Sequence, residues 1–266
     1  MARSTLLFLL VMALCTVAGA QAPKSLFLEE LTWNEVREQA KAGKNIILIP
    51  IGGTEQNGPH MVLGKHNVRA RVLAGKIAAG LGNALVAPVV SYVPEGSIDP
   101  PTGHMRFPGT ITVPEAAFES ILESAARGFR LHGFRHIVFL GDHGGYQKSL
   151  KLVADRLNRE WARDRVRVHA LDEYYRASDA GFTEILKSKG FKADEIGTHA
   201  GLADTSLALA IDPELVRADR LGSPSMGPAD GVHGKPNRAT AELGKAGVDL
   251  IVERSVKAIR ESTARR

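Results

Sequence analysis

The sequence predicts an α/β protein, a three-layer α/β/α sandwich in which a largely parallel sheet is covered by helices on both faces. Short apolar runs alternate with longer segments whose apolar residues recur at helical spacing. Two of these runs, residues 46–51 and 136–140, are apolar almost throughout, which is typical of strands buried on both faces. Strands that alternate with helices are joined by crossover connections, and this order favours a parallel sheet.

Residues 1–20 are predicted to be a secretory signal peptide. Arg3 gives a positive start, residues 6–17 are apolar but short for a bilayer, and residues 18–20 form a small-residue cleavage site. An uncleaved membrane anchor is the alternative. We therefore expect residues 21–266, about 245 residues, to form one exported domain, periplasmic or secreted. The single cysteine, Cys15, lies in the removed segment, so no disulfide or thiol chemistry is expected.

The charge pattern argues against a nucleic-acid-binding protein. The formal net charge is +5, but 34 basic and 29 acidic residues alternate along the chain. No basic block is interleaved with aromatic residues, as nucleic-acid recognition would require. After residue 20 no apolar stretch is long enough to cross a membrane, so we expect no membrane contact after signal cleavage.

The first half of the domain contains two predicted strands and two predicted helices before a long loop. A Thr-Trp-Asn-Glu start predicts a helix within residues 26–42, and Gly82 is expected to end a second helix. The loop after the second strand is rich in Pro and Gly, and loops of this length in compact domains are usually functional or disordered. The predicted segments are a helix in 26–42, strand 46–51, helix 68–81, strand 84–93, the loop from 94, and a short β-like segment at 110–113.

The second half continues the alternation. Pro114 is expected in the first turn of a helix that runs to about residue 132. Residues 176–196 are expected to be less ordered. The other predicted segments are strand 136–140, helix 146–162, strand 166–171, a small-residue helix that opens at 198–207, and a final helix over about 240–258.

Polar side chains follow two of the predicted strands directly. The first strand is followed by Glu55, Asn57, His60 and His66, whereas the third is followed by Asp142 and His143. Ligands bind at the carboxyl ends of strands in open α/β sheets, so we expect both clusters at one edge of the sheet. A polar loop that happens to contain two histidines is the simpler interpretation of the first cluster.

Imidazole nitrogen and carboxylate oxygen are typical ligands of a borderline divalent metal. The predicted metal ligands are Glu55, His66, Asp142, His143 and Asp204. A metal ion can ionise a bound water and polarise a carbonyl, so metal-assisted hydrolysis is the natural reaction class. The residues alone leave the site open, because no short metal-binding motif such as H-E-x-x-H is present. A nucleotide-binding function is disfavoured, since no Gly-rich phosphate fingerprint follows the first strand.

Five separated motifs, in order over almost the whole domain, resemble the creatininase family of creatinine amidohydrolase-like metal enzymes. They are IPIGGTEQNGPHMVLGKHN, FPGTITV, FLGDHGG, HAGLADTSLAL and GVHGKPNRATAELGKAG. The resemblance implies a creatininase-like layered fold and hydrolysis of a cyclic or linear C–N amide bond in a small substrate. It also implies one or two divalent ions, with zinc favoured over manganese or iron, and a homo-oligomer, often a hexamer.

Carried over residue by residue, the resemblance matches Glu55 and His143 to metal ligands. Asn57 stands where the family has a histidine ligand, and His66 stands where it has an aspartate that often bridges two metals. His66 and Asp142 are then expected to form a rearranged site. The alternative is a catalytically inactive relative that binds a small molecule or serves as a scaffold.

The remaining predicted site residues concern the substrate. His199 matches a histidine near the substrate and is expected, with Glu55, to be catalytic, as a proton donor to the leaving nitrogen. Asp204 keeps the acid of the family's E-T-S segment, shortened by one methylene, whereas Leu202 and Lys235 depart from it, so a pocket unlike that of the namesake enzyme is expected. Predicted substrate-binding residues are Asn57, His60, His104 and His233.

Overall fold

A computed structural model describes residues 25–221 and 226–264 of the chain. The predicted signal peptide, residues 1–20, and Cys15 within it lie outside these described residues. Among the helices of the two described ranges, none combines the length and the hydropathy that a bilayer crossing needs.

A four-stranded parallel sheet forms the middle layer. Its spatial order is β2-β1-β3-β4, and β1 pairs with β3 from Ile46 opposite His136 to Ile51 opposite Gly141. The chain therefore reverses its winding between β1 and β3, and open α/β sheets bind ligands at such a switch point. The polar clusters that follow these two strands share one edge of the sheet, as predicted. The strands are β1 (Ile46–Ile51), β2 (Ala84–Val86), β3 (His136–Gly141) and β4 (Arg167–Ala170).

Helices pack on both faces of the sheet, which confirms the predicted α/β class. Alternate residues of β1 point to opposite faces, so Ile46 and Leu48 contact one helical layer while Ile47 and Ile49 contact the other. One layer contains α3 and α4, and the other contains α2 and the helices from α5 onward. The described α-helices are α1 (Trp33–Lys41), α2 (Lys65–Leu81), α3 (Glu115–Leu131), α4 (Gln147–Glu160), α5 (Asp172–Arg176), α6 (Phe182–Ser188), α7 (Ala193–Ile196), α8 (Leu202–Ile211) and α9 (Ala241–Ala264).

Local signals in the sequence set several helix ends. The Thr32 side chain accepts the Glu35 N–H, and the Glu35 carboxylate accepts the Thr32 N–H at 2.7 Å, so α1 begins with the predicted capping box. At the end of α2, Gly82 adopts a left-handed conformation with φ +82°. A residue with a Cβ would be strained there, which explains why α2 ends at this glycine.

Three predicted segments were wrong. The strand predicted over 84–93 ends at Val86, because Pro88 cannot donate to a sheet, and beyond it only an isolated bridge joins Val90 to Ile51. Residues 110–113 lie outside the sheet and contribute an N–H from Ile111 to the carbonyl of Thr54 at 2.9 Å. Residues 176–196, expected to be less ordered, are mostly helical, because their apolar side chains are buried against α9 and the sheet.

Candidate metal centre

The loop after β1 places Glu55 at the edge of the sheet, fully buried. Asn67 of α2 holds the loop: its Oδ1 accepts the Gly53 N–H at 3.0 Å, and its Nδ2 donates to Thr54 Oγ1 at 3.1 Å. A Cβ on Gly53, whose φ is +152°, would lie 2.7 Å from Glu95 Oε1. Glycine at this position therefore lets a second carboxylate approach the strand end.

The loop after β3 is fixed to the end of β1 by one tyrosine hydroxyl. Tyr146 Oη accepts the N–H groups of Asp142 and His143 at 3.0 and 3.1 Å. The same oxygen lies 2.8 and 2.7 Å from the carbonyl oxygens of Ile51 and Gly52. The two strand ends are therefore held at a fixed separation by a side chain that is almost fully buried.

The long loop after β2 closes over this edge and brings in two further residues. The Glu95 N–H donates to Thr112 Oγ1 at 2.9 Å, which fixes the start of the loop against its return. His104 lies on a short 3-10 helix, Gly103–Arg106, and its Nδ1 is 2.9 Å from Gln56 Nε2. Both residues consequently lie close to Glu55.

Glu55, Glu95, His104 and His143 form a compact group of potential metal ligands. One ligand atom from each lies within 4.8 Å of all the others. His104 Nε2 and His143 Nε2 lie 3.1 and 3.6 Å from Glu55 Oε2, and His143 Nδ1 lies 4.0 Å from Glu95 Oε2. We call this group the outer cluster.

The outer cluster fits a divalent cation. Glu55 Oε2 and both carboxylate oxygens of Glu95 are buried and have no hydrogen-bond partner among the described residues; the approach of His104 to Glu55 lacks hydrogen-bond geometry. Buried carboxyl oxygens without hydrogen-bond partners cost considerable free energy, whether or not the group is ionised. Two carboxylates and two imidazoles match the donor types that zinc and similar ions prefer, so a cation among them would satisfy these oxygens.

The protonation of the outer cluster reflects its burial. Burial, together with the neighbouring charge of Glu55, raises the pKa of Glu95 to about 9. Burial lowers the pKa of His143 to about 4, so its imidazole is neutral near pH 7 and able to ligate. Burial alone would raise the pKa of Glu55, but the hydrogen bond and charge of His66 outweigh it and hold this pKa below its ordinary value.

A second acidic group lies beside the outer cluster and is already paired. Asp142 Oδ2 accepts from Arg69 Nε at 2.8 Å and lies 2.6 Å from His66 Nδ1, while Asp142 Oδ1 accepts from Tyr174 Oη at 2.7 Å. His66 Nε2 lies 2.8 Å from Glu55 Oε1, so both ring nitrogens of His66 face carboxylates.

Asp204 completes this second group. Its Oδ1 accepts from Arg69 Nη1 at 3.1 Å and its Oδ2 accepts the Ala200 N–H at 2.9 Å, with Lys65 Nζ 3.0 Å away from Oδ2. Burial would raise the pKa of Asp204, but the charges of Lys65 and Arg69 hold it well below its ordinary value. We call Asp142, Asp204, Lys65 and Arg69 the inner ion-pair group.

The structure thus divides the five predicted metal ligands. Glu55 and His143 belong to the outer cluster, Asp142 and Asp204 to the inner ion-pair group, and His66 lies between Glu55 and Asp142. The proposed ligand role of these five residues stays a prediction. The structure does bring all of them to one edge of the sheet, although not around a single point.

The predicted catalytic residue His199 borders the outer cluster. Its Nδ1 lies 3.9 Å from Glu55 Oε1, and its Nε2 lies 3.0 Å from the carbonyl oxygen of Gln56. A proton on Nε2 would let His199 donate to this carbonyl and would leave Nδ1 as an acceptor. Burial lowers the pKa of His199 to about 4.

The other predicted substrate-binding residues have different surroundings. His104 belongs to the outer cluster, but Asn57 donates to the carbonyls of Glu55 and Val62, at 2.9 and 3.1 Å, from a fully buried position. His60 Nε2 lies 3.0 Å from Thr205 Oγ1. Asn57 and His60 therefore hold the loop in place. The side chain of His233 is exposed, and its backbone pairs with that of His199.

A small polar cavity of about 140 Å³ lies next to both groups. Its size suits a molecule of few heavy atoms, since typical drug-sized sites exceed roughly 300 Å³. The residues that line it include His66, Arg69, His143, Tyr175, His199 and Asp204.

Sequence reasoning missed Glu95, Lys65 and Arg69 as site residues. Glu95 was visible as a carboxylate in a loop of functional length, but nothing local shows that the loop folds back onto β1. Lys65 and Arg69 occur four positions apart, which puts them on one face of α2. A cation pair at that spacing usually faces solvent, whereas these two side chains are 1% and 5% exposed.

The fold and the site together define a layered α/β protein with a carboxylate and imidazole centre at the switch point of its sheet. A comparison of the sequence with family profiles identifies the family of this chain. The profile described as "Creatininase: Creatinine amidohydrolase" matches residues 29–259. The chain belongs to the creatininase family, whose members are hydrolases that act on C–N bonds.

Individual relatives agree with this membership. The chain is 29% identical over 258 residues to a creatinine amidohydrolase of Pseudomonas putida, with 90% of this chain and 97% of the relative covered. It is 30% identical over 181 residues to a mycofactocin precursor peptide peptidase of Mycolicibacterium smegmatis, with 66% and 62% covered. The solved structure named "Creatininase Mn" superposes with a TM-score of 0.75 at 28% identity, covering 90% of this chain and 99% of the other. A mutant creatininase is described as "Zn-Zn type", so structures of this family carry manganese or zinc.

Proposed function

We propose that this protein is a metal-dependent amidohydrolase that cleaves a cyclic or linear C–N amide bond in a small molecule. The observation that carries the proposal is the outer cluster, in which three buried carboxylate oxygens of Glu55 and Glu95 have no hydrogen-bond partner among the described residues. Family membership supports the same chemistry, since relatives include a creatinine amidohydrolase and peptide peptidases.

Glu55, Glu95, His104 and His143 would hold the divalent ion, for which zinc, manganese and iron are the candidates. When bound, this ion would act as a Lewis acid toward the amide carbonyl and lower the pKa of water. Tyr146 keeps His143 in position through the backbone of its loop. Gln56 Nε2 lies 2.9 Å from His104 Nδ1, where it can donate a hydrogen bond that orients this ring.

His199 is the residue that we propose for proton transfer. Its Nδ1 faces the outer cluster without a proton, so it can accept the proton that an attacking water loses. The same nitrogen can then deliver this proton to the leaving nitrogen. His199 would therefore act first as a base and afterwards as the acid that the sequence predicted.

The substrate that we propose is a small polar amide. The cavity beside His143 and His199 holds about 140 Å³, and its lining is largely polar. Leu202 is fully buried in the core, and Lys235 is directed toward Asp194, at 3.2 Å. Neither residue supplies an acid to the site where the family has one, so we expect little turnover of creatinine. We also propose that the protein is exported and assembles as a homo-oligomer, a hexamer by family resemblance.

The proposal is tested by a hydrolysis screen of lactams, formamides and small peptides, creatinine included, with protein that has been reconstituted with Zn²⁺, Mn²⁺ or Fe²⁺. Activity should appear with at least one substrate, should disappear after chelation and should return when the metal is restored. A bound ion that supports no hydrolysis of any substrate class would contradict an enzymatic role.

His143→Ala and His136→Ala form a matched pair for this test. The two histidines lie at opposite ends of β3, and His136 contacts His169 at 3.2 Å, away from the outer cluster. His143→Ala should abolish both metal binding and activity, whereas His136→Ala should change neither. Equal loss in both variants would mean that general destabilisation, and not ligation, explains the effect.

A catalytically inactive small-molecule binder is the second candidate. One observation favours it: His66, which stands where relatives have an acid, is held between Glu55 and Asp142 and offers no free nitrogen. Calorimetric binding of a small amide by a protein that takes up no metal would support this candidate.

A further inference from the structure

Two buried acidic groups meet at the edge of the sheet, and they differ in whether the protein itself satisfies them. In the inner ion-pair group, each of the four carboxylate oxygens of Asp142 and Asp204 accepts a hydrogen bond from the protein. In the outer cluster, three of the four carboxylate oxygens of Glu55 and Glu95 accept none within the described chain. Only the outer cluster therefore has oxygens free for an added cation.

The inner ion-pair group obtains its positive charge from α2. Lys65 lies at the first position of this helix and Arg69 one turn later, so both side chains leave the same face. Arg69 bridges the two aspartates, through Nε to Asp142 and Nη1 to Asp204 Oδ1, and Lys65 Nζ lies 3.0 Å from the other oxygen of Asp204, Oδ2, as an ion pair. The two carboxylates are thus paired with two cationic side chains, which, unlike bound ions, do not exchange with solvent.

This arrangement bears on the number of metal ions. Two-metal hydrolytic sites place their ions about 3.5–4 Å apart and need ligands for both. A second ion here would have to displace Arg69 or Lys65 from the aspartates, in a buried place where like charges repel strongly. His66 could not assist, because both of its nitrogens already face carboxylates.

The geometry points to a single divalent ion per chain, held by the outer cluster, with Lys65 and Arg69 in the role that a second ion has in a relative of "Zn-Zn type". This inference rests on the proposed function, since it assumes that the outer cluster binds metal. It also specifies that function further: hydrolysis would proceed at a mononuclear centre, and the positive charge beside the ion would be the permanent charge of Lys65 and Arg69.

The first test is metal stoichiometry. Metal-free full-length protein is titrated with Mn²⁺, the bound metal is measured by inductively coupled plasma mass spectrometry, and the sample is examined by electron paramagnetic resonance. We expect one Mn²⁺ per chain with the hyperfine pattern of an isolated ion. Two ions per chain, or the signal of an exchange-coupled pair, would overturn the single-ion inference while leaving the proposed function intact. No bound ion would overturn the proposed function and this inference with it.

Two near-isosteric variants locate the ion. Glu95→Gln removes a charge from the outer cluster and should weaken Mn²⁺ binding at least tenfold. Asp204→Asn removes a charge from the inner ion-pair group and should leave the stoichiometry of one ion per chain unchanged, since Asp204 ligates nothing in this arrangement. Loss of the ion from folded Asp204→Asn, checked by circular dichroism, would contradict the inference. Should this variant fail to fold, the titration and resonance spectrum of the wild-type protein decide the question alone.

Discussion

Tyr146→Phe removes one oxygen from the point where the two site-bearing strands meet. The hydroxyl accepts the N–H groups of Asp142 and His143 and contacts the carbonyls of Ile51 and Gly52, all within 2.7–3.1 Å. The ring itself packs in the core against Phe118 and keeps its place in the variant. The substitution therefore tests the hydroxyl alone.

The expected cost follows from counting these bonds. A tyrosine hydroxyl can donate once and accept twice, so about three hydrogen bonds are lost. The Asp142 N–H keeps its bond to the Ile51 carbonyl at 3.0 Å, but the His143 N–H loses the partner that it has in the structure. Each lost bond costs about 1 kcal/mol, and the His143 N–H adds part of a desolvation penalty. The free energy of unfolding should therefore fall by about 2–4 kcal/mol.

Urea denaturation of metal-free protein, followed by circular dichroism, measures this change as a lower midpoint. Tyr175→Phe is the control, because the Tyr175 hydroxyl makes no hydrogen bond with the rest of the described chain, and its loss should cost less than about 0.5 kcal/mol. Tyr146→Phe should also weaken metal binding, since His143 loses its support. If the two variants are equally stable, Tyr146 does not fix the strand ends in the way described.

Further predictions concern packing and pH. Gly244→Ala should destabilise the protein by about 1–3 kcal/mol in urea denaturation, because the added Cβ would lie 1.8 Å from the Ser206 carbonyl oxygen. Gly128→Ala, in open space on α3, should instead stabilise it by about 0.5–1 kcal/mol, and the opposite order would refute this description of helix packing. Burial lowers the pKa of His60 from 6.5 to about 4, so its contribution to stability is present above pH 6.5 and is lost as the pH falls toward 4. His60→Gln should remove about 3 kcal/mol of that pH dependence, and an unchanged pH profile of the denaturation midpoint would show that folding does not lower the pKa of His60.

The layered fold and the meeting of the two strand ends could be predicted from the sequence. Apolar runs such as 46–51 and 136–140 identify strands buried on both faces, and the polar residues that follow them mark the binding edge. These signals are local, so a single sequence is enough. The helices of residues 176–196 were missed because they are short, and short helices depend on burial against the rest of the fold.

The composition of the site could be predicted only in part. Glu55 and His143 follow their strands directly, whereas Glu95 reaches the site because its loop returns and bonds to Thr112, a contact between distant positions. The pairing of Asp142 with Arg69 also joins positions that are 73 residues apart. The periodicity of the sequence cannot reveal such pairs. Asp142 and Asp204 therefore look like metal ligands in the sequence, although in the structure they are paired with Arg69 and Lys65.

The most direct measurement is an anomalous difference map from a crystal of the protein grown with Mn²⁺ or Zn²⁺. We expect one peak per chain, bound by Glu55, Glu95, His104 and His143, with Arg69 still bridging Asp142 and Asp204. A peak coordinated by Asp142 or Asp204, or no peak at the edge of the sheet, would contradict it.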